Sequence, residues 1–123
     1  MKEIIAIIRP KMISKTKIAL GNMGVDSITA YAAYGRGKQR GIAEEVDIAY
    51  RPHVLDEAAH RGMKYVPKRY LAMVVRDSEA DEVVKTLIQT NQTGQIGDGK
   101  IFMCPVDDAL RIRTKETGDS ALI

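Results

Sequence analysis

The sequence contains no tryptophan and a single phenylalanine, Phe102, among its 123 residues. Proteins that read single-stranded nucleic acid stack its bases on aromatic side chains, so this scarcity argues against such a surface. Cys104 is the only cysteine, which excludes an internal disulfide. The apolar run Ile4–Ile8 is too short for a signal peptide, and no other run approaches the length of a membrane span. We expect a cytoplasmic protein with no membrane insertion and no nucleic-acid partner.

The composition is that of a globular protein. Hydrophobic residues make up 45% of the chain, and 123 residues suit a single domain over residues 1–123. The net charge of +3 is mildly basic. Such a balance favours small anionic ligands or acidic partners.

Hydrophobic periodicity predicts two β-α-β units in series. The predicted elements are a strand over Lys2–Arg9 buried on both faces, a helix from about Ile13 to Met23, strands over Val25–Tyr34 and Lys68–Arg76, a helix capped by Ser78, and a strand over Ile101–Val106. This order is the ferredoxin-like βαββαβ sandwich, an α+β fold. Two helices would cover one face of its sheet, and the other apolar face would be buried by oligomerisation.

The segment from Arg36 to about Val66 interrupts this pattern. It shows no sustained strand alternation, and so long a connection is uncommon inside a small domain. Loops of this kind are usually functional or disordered. We interpret this one as a long mobile arm, between the second and third strands, that becomes ordered on contact with a partner.

A glycine-rich stretch, Thr93–Phe102, connects the second predicted helix to the last strand. Its glycines let the backbone take left-handed angles and approach a ligand closely, so that successive N–H groups can form an anion site beside Lys100. The order helix, glycine loop, strand is the reverse of a P-loop or a Rossmann turn. Alone, the stretch could equally be an ordinary turn.

Arg111 and Arg113 follow in a segment predicted to be extended. Two such residues leave the same face of a strand about 7 Å apart, a spacing that suits neighbouring phosphates of one nucleotide. A solvated edge strand would show the same pattern. In combination with the glycine loop, the pair favours a polyphosphate ligand.

Four stretches, in order over almost the whole chain, match one known family. They are Ile5-Ala6-Ile7-Ile8-Arg9-Pro10, Gly35-x-Gly37-x-Gln39-x-Gly41, Gln92 through Phe102, and Arg111-Ile112-Arg113-Thr114 followed by Ala121-Leu122-Ile123. Through these stretches the chain resembles the PII nitrogen-regulatory signal proteins. The resemblance implies a homotrimer of ferredoxin-like subunits, with ATP or ADP in the clefts between neighbours. It also implies an arm over about 36–66, a nucleotide-binding loop over about 92–100 and a C-terminal loop over about 111–123.

The same resemblance implies a set of ligand-binding residues. Those for the nucleotide are Thr29, Gly35 and Val74 on the adenosine side, with Lys38, Gly97, Asp98, Gly99, Lys100, Arg111 and Arg113 for the phosphates. Those for 2-oxoglutarate are Gln39, Arg40, Gly41 and Lys68, and Gln39 would also help to bind Mg²⁺. Gln39 could instead be a turn residue, and Lys68 a charged residue that protects a strand edge.

The implied ligands are coupled by their charges. A dicarboxylate beside a triphosphate is repelled unless a metal bridges them, so 2-oxoglutarate should require ATP and Mg²⁺ together, and the coupling must be reciprocal. We expect these ligands to fix the base of the arm, Gly37–Gly41, in one conformation, and ADP or no effector to favour another.

Two departures from the common family pattern concern the arm. Its tyrosines, Tyr50 and Tyr65, have unfamiliar neighbours, so we do not predict the uridylylation known for the family. The arm is also longer than usual, and Arg36 and Lys38 stand where an aromatic residue and an arginine are common. In this respect the chain resembles the nitrogenase-linked subfamily of archaea and some anaerobic bacteria, and the longer of its two paralogues. Dinitrogenase is then the implied target, with trimers that mix with a paralogue, and regulation of an ammonium transporter or glutamine synthetase is the alternative.

Other classes of function remain as alternatives. Arg36, Lys38 and Arg40 could contact phosphates in a ferredoxin-like nucleic-acid-binding module. A metal site is conceivable from His53, Glu57 and His60, although such side chains in an arm are usually solvated. No serine or cysteine has an evident base beside it, so we predict a regulatory binding protein with no catalytic residues rather than an enzyme.

Overall fold

The computed structural model describes residues 1–37 and 65–123. Within these ranges lie four strands and two α-helices, which are β1 (Lys2–Ile8), α1 (Ile13–Asn22), β2 (Thr29–Gly35), β3 (Val66–Val75), α2 (Asp77–Asn91) and β4 (Lys100–Pro105). The strands form one antiparallel sheet in the order β2-β3-β1-β4. The predicted ferredoxin-like βαββαβ fold is confirmed.

The core lies between the two helices and one face of the sheet. Every second residue of β1 is buried there, namely Ile4, Ala6 and Ile8, as the two-residue period of a strand requires. From β3 and the helices come Leu71, Met73, Val75, Leu20, Ala80, Val83 and Leu87. The buried residues of α2 recur at spacings of three and four, as one face of a helix requires.

The opposite face of the sheet is largely apolar, and neither of the two described helices packs on it. Ile5 and Ile7 lie on it and are only half-buried, so the prediction that β1 is buried on both faces is wrong for the single chain. Cross-strand partners share a face, which places Tyr70 beside Ile7 and Phe102 beside Ile5. Tyr31 stacks on Tyr70 with ring centroids 4.5 Å apart, and Tyr31 is still 52% exposed.

Two predicted boundaries are corrected. The second strand begins at Thr29 rather than at Val25. Val25 belongs to the end of α1, where Gly24 turns the chain at φ 87° and the Val25 N–H donates to the Leu20 carbonyl at 2.9 Å. Ser78 does not cap α2, because the helix begins at Asp77 and Arg76 occupies the cap position.

Part of the predicted arm lies outside the described residues. This applies to Lys38, Gln39, Arg40 and Gly41, and to His53, Glu57 and His60 of the alternative metal site. Among residues 1–37 and 65–123, neither helix is long and apolar enough to cross a bilayer.

Candidate functional site

The glycine loop, residues 92–99, is folded around the carboxylate of Asp98. Oδ2 of Asp98 accepts hydrogen bonds from the backbone N–H groups of Thr93, at 2.8 Å, and Gly94, at 2.9 Å. Oδ1 accepts a further bond from the Thr93 hydroxyl. The first half of the loop is thereby closed onto its second half.

Arg9 ties this loop to the end of β1. Its side chain is almost fully buried, with Nη1 2.6 Å from Oδ1 of Asp98 and Nη2 3.0 Å from the carbonyl of Ile96. Pro10 ends the strand directly afterwards, which leaves Arg9 beside the loop. In the sequence, Arg9 was identified only as part of a family motif. An arginine just after an apolar strand and an aspartate between glycines were the signals for this ion pair.

The environment of Asp98 keeps it ionised. Burial acts to raise the pKa of its carboxyl, but hydrogen bonds from Thr93, Arg9 and Gly94 outweigh burial and hold that pKa well below the usual range. The carboxylate is thus engaged by the loop itself. Its role in nucleotide binding stays a prediction, and we expect Asp98 to act through the shape of the loop.

Two glycines set the path of the second half of the loop. Gly97 and Gly99 have φ angles of 103° and 113°, which are strained for any residue with a side chain. A Cβ on Gly99 would lie 1.9 Å from the carbonyl oxygen of Ile7. The loop therefore packs directly against the backbone of β1. This contact lies within the chain, whereas the close approach predicted from the glycines was to a ligand and stays a prediction.

Lysines from two strands meet this loop. Lys100 opens β4 opposite Ile7 and is exposed. Lys68 is 8% exposed, and its Nζ donates to the carbonyl of Gly97 at 2.9 Å. Because β3 is an interior strand, the alternative reading of Lys68 as protection for a strand edge is wrong. Gly35 lies beside the Lys68 side chain. Gly35, which the resemblance grouped with Thr29 and Val74 on the adenosine side, therefore lies here and not with them. We call this group, Gly35, Lys68 and Gly97–Lys100, the phosphate half-site, after the ligand predicted for its loop.

Thr29 and Val74 line a different cavity, of about 430 Å³. Its other lining residues include Glu3 and Ala72 on the uncovered face of the sheet and Ala121 and Leu122 near the chain's end. Glu3 pairs with Val74, whereas Ile7 pairs with Lys100. We call this cavity the adenosine half-site, after the ligand predicted for Thr29 and Val74. Four residue steps, from Glu3 to Ile7, separate it from the phosphate half-site by about 13 Å along β1.

The prediction that Arg111 and Arg113 lie in an extended segment and leave its same face is wrong. Residues 112–114 form a turn, in which the Lys115 N–H donates to the Arg111 carbonyl at 2.7 Å and the Arg111 N–H donates to the Glu116 carbonyl at 2.9 Å. Lys115 has a φ of 63°, which lets the chain reverse there. Polar residues after the arginines thus make a hairpin rather than a strand.

The two arginines consequently differ in their surroundings. Nη1 of Arg111 lies 2.8 Å from Oε1 of Glu116, and Nη2 contacts the carbonyls of Ser120, at 3.2 Å, and Ile123. Arg111 thereby holds the C-terminal segment whose Ala121 and Leu122 line the adenosine half-site. Arg113 is exposed.

The predicted site residues are therefore divided within one chain. Gly35, Lys68 and Gly97–Lys100 meet at one end of the sheet, and Thr29 and Val74 meet at the other, with Arg111 bonded to the C-terminal segment that lines their cavity. The cavity that Thr29 and Val74 line includes neither Gly35 nor Lys68 nor any residue of the glycine loop.

Comparison with known proteins agrees with this architecture. The family model described as nitrogen regulatory protein P-II matches residues 1–116. A protein of Methanobacterium ivanovii named "Nitrogen fixation nifHD region GlnB-like protein 2" is 50% identical over 100% of both chains. A nifHD1-region relative of Methanosarcina barkeri is 49% identical over 99% of both. "Nitrogen regulatory protein P-II" of Azospirillum brasilense is 37% identical over 99% of this chain and 100% of its own.

These matches settle the resemblance predicted from the sequence, including its nitrogen-fixation-associated branch. The P-II model covers all described strands and both helices, and the methanogen relatives align from end to end. The family consists of regulatory signal proteins. The chain belongs to the nitrogen regulatory protein P-II family.

Proposed function

We propose that this protein is a trimeric P-II signal transducer that binds ATP or ADP between subunits, senses 2-oxoglutarate through Mg²⁺ and ATP, and regulates nitrogen fixation by binding dinitrogenase. One observation carries the ligand part of this proposal. The phosphate and adenosine half-sites of one chain lie at opposite ends of its sheet. A second copy can bring its adenosine half-site to the first copy's phosphate half-site.

The uncovered sheet face supports the trimer. Ile5, Ile7, Tyr31, Tyr70 and Phe102 form a continuous apolar surface, with Phe102 45% exposed and Tyr31 52% exposed. Burial of apolar surface is the main favourable term in association, and a patch of this kind marks an interface. Three copies in a closed ring would cover this face and form three equivalent clefts.

The charges of the phosphate half-site suit a triphosphate and a dicarboxylate. Lys100 is exposed beside the glycine loop, and Lys68 brings a second cation to the Gly97 carbonyl. In the proposal Lys100 binds phosphate and Lys68 pairs with the distal carboxylate of 2-oxoglutarate. Gln39, with Arg40, Gly41 and Lys38, completes the site from the base of the arm.

The partner is proposed on different grounds. The names of the methanogen relatives place them in nitrogen-fixation regions. This favours dinitrogenase as the target over an ammonium transporter or glutamine synthetase.

Subunit complementation tests whether the nucleotide site lies between chains. Lys100→Ala and Arg113→Ala each remove one cationic ligand, and each variant alone should bind ATP about 10-fold to 100-fold more weakly, as judged by calorimetry. The Arg113→Ala chain keeps an intact Lys100, and the Lys100→Ala chain keeps an intact Arg113. In trimers assembled from an equal mixture, about one cleft in four receives Lys100 from the first kind of chain and Arg113 from the second. These clefts should regain wild-type affinity. The double variant carried through the same mixing is the control. Mixed trimers with no recovered sites would refute an intersubunit site.

The second test concerns the coupling of effectors. We expect calorimetry to detect 2-oxoglutarate binding in the presence of ATP and Mg²⁺ and to lose it when either is omitted, because the metal relieves repulsion between the two anions. Gln39→Ala should weaken 2-oxoglutarate far more than ATP. Equal binding of 2-oxoglutarate with and without ATP and Mg²⁺ would remove the metal bridge from the mechanism.

A further inference from the structure

Glu3 is the only ionisable side chain among the described residues that line the adenosine half-site. The other lining residues are Ser27, Ile28, Thr29, Ala72, Met73, Val74, Ala121 and Leu122. The cavity measures about 430 Å³, which is within the range that holds a small organic ligand. A single carboxylate in such a cavity has the potential to select among ligands.

The position of Glu3 is unusual for a carboxylate. It lies on an interior strand, paired with Val74 on one side and Cys104 on the other, and its face of the sheet also carries Ile5 and Ile7. Within residues 1–37 and 65–123, no hydrogen bond or ion pair engages its carboxylate. In a trimer that covers this face, an unpaired carboxylate would be strongly unfavourable, so a donor must reach it.

The hydroxyl groups of a ribose are suitable donors. A vicinal diol presents two O–H groups to the two oxygens of one carboxylate, the arrangement that acidic residues use in dinucleotide-binding sites. The flat, apolar adenine would lie against Ala72, Val74 and Leu122 in the same cavity.

We propose that Glu3 accepts hydrogen bonds from the ribose hydroxyls of the bound adenine nucleotide and makes the site select ribonucleotides over deoxyribonucleotides. This assignment rests on the proposed function, since it requires an adenine nucleotide at Thr29 and Val74. It adds a specificity-determining residue on the first strand, outside the glycine loop and the arginines.

The test is calorimetry of the full chain with ATP, 2′-deoxy-ATP and 3′-deoxy-ATP. The wild type should bind each deoxy analogue about 10-fold to 100-fold more weakly than ATP, since each lacks one charge-assisted hydrogen bond. Glu3→Ala should lose a similar factor on ATP and bind all three nucleotides alike. Glu3→Gln keeps the shape and one acceptor oxygen, so it should fall between the two and separate binding from folding. Asp81→Asn, on the exposed face of α2, is the matched control and should behave as the wild type.

The outcomes separate this inference from the proposed function. A wild type that binds no adenine nucleotide would overturn both. A wild type that binds ATP and its deoxy analogues equally would overturn the role of Glu3 alone. The role of Glu3 would also be overturned if Glu3→Ala kept the preference for ATP over the deoxy analogues. The same holds if Glu3→Ala instead lost discrimination between ATP and inosine triphosphate, because the contact of Glu3 would then be to the base.

Discussion

Replacing Gly99 by alanine should lower the free energy of unfolding by about 3 to 5 kcal/mol and abolish nucleotide binding. The Cβ would lie 1.9 Å from the Ile7 carbonyl oxygen and 3.0 Å from its carbon, while φ stays at 113°. Both atoms belong to the backbone of β1, which is paired with β3 and β4 on its two sides. The strand cannot move aside without breaking one of its ladders, so the loop has to leave its place.

Gly94→Ala is the matched control for this prediction. Gly94 also has a positive φ, 86°, but a Cβ there would meet no atom within 4 Å. Gly94→Ala should therefore lower the free energy of unfolding only by the cost of a left-handed backbone angle, about 1 to 2 kcal/mol. Denaturant unfolding and ATP calorimetry of both variants separate the contact with β1 from the backbone angle. Similar losses in the two variants would show that close packing of the loop against β1 is not required.

The contact at Gly99 also bears on the sensing mechanism. A loop pressed against an interior strand and bonded through Asp98 to Arg9 has little freedom before the ligand arrives. Less ordering is then needed on binding, so more of the interaction energy appears as affinity. In the proposed mechanism the nucleotide loop is therefore the fixed part of the cleft, and the arm supplies the change.

Local patterns were sufficient to predict the order of elements. The alternation of Leu71, Met73 and Val75, and the helical spacing of Ala80, Val83 and Leu87, both coincide with the buried faces. The failures were also local. Val25 is apolar and lies four residues before β2, but its N–H bonds to the last turn of α1 and its side chain joins the core, so its hydrophobicity predicted the wrong element. Residues 112–114 turn because backbone bonds close a hairpin, which the spacing of Arg111 and Arg113 did not reveal.

The site was predictable in its parts but not in its arrangement. Glycines beside Lys100 indicated an anion loop, which stays a prediction, but they did not indicate that the loop packs against the backbone of β1. The ion pair that holds it joins residues 89 positions apart, a separation that no periodicity reports. The division into two half-sites likewise depends on register, because it follows from which residues face Glu3 and Ile7 across the sheet.

Asp98→Asn should lower the free energy of unfolding at neutral pH by about 3 kcal/mol and weaken ATP binding at least about 10-fold. The amide turns one acceptor into a donor, which then faces the N–H groups of Thr93 and Gly94, and it removes the charge that Arg9 binds. The Asp98 side chain is 23% exposed, so solvent screens the pair only partly. Asp81→Asn, exposed on α2, should change stability by less than about 0.5 kcal/mol.

A double-mutant cycle identifies the ion pair as the source of the effect. Arg9→Met alone should be destabilising for the same reason, since it leaves the Asp98 carboxylate with its loop donors but without the guanidinium. The double variant should be less destabilised than the sum of the two single variants. Strict additivity would mean that the two side chains act independently.

Acid unfolding of the wild type and of Asp98→Asn tests independently whether the ionised Asp98 carboxylate stabilises the folded protein. The pKa of Asp98 is lowered in the folded state, so the stabilisation from its carboxylate is fully present above the unfolded-state pKa, about 4, and is lost as pH falls through the folded-state pKa. The stability difference between wild type and variant should therefore be constant from pH 7 to about pH 5 and shrink below about pH 4. A difference that widened on acidification would mean that the folded protein stabilises the protonated carboxyl, contrary to a loop organised around an ionised Asp98.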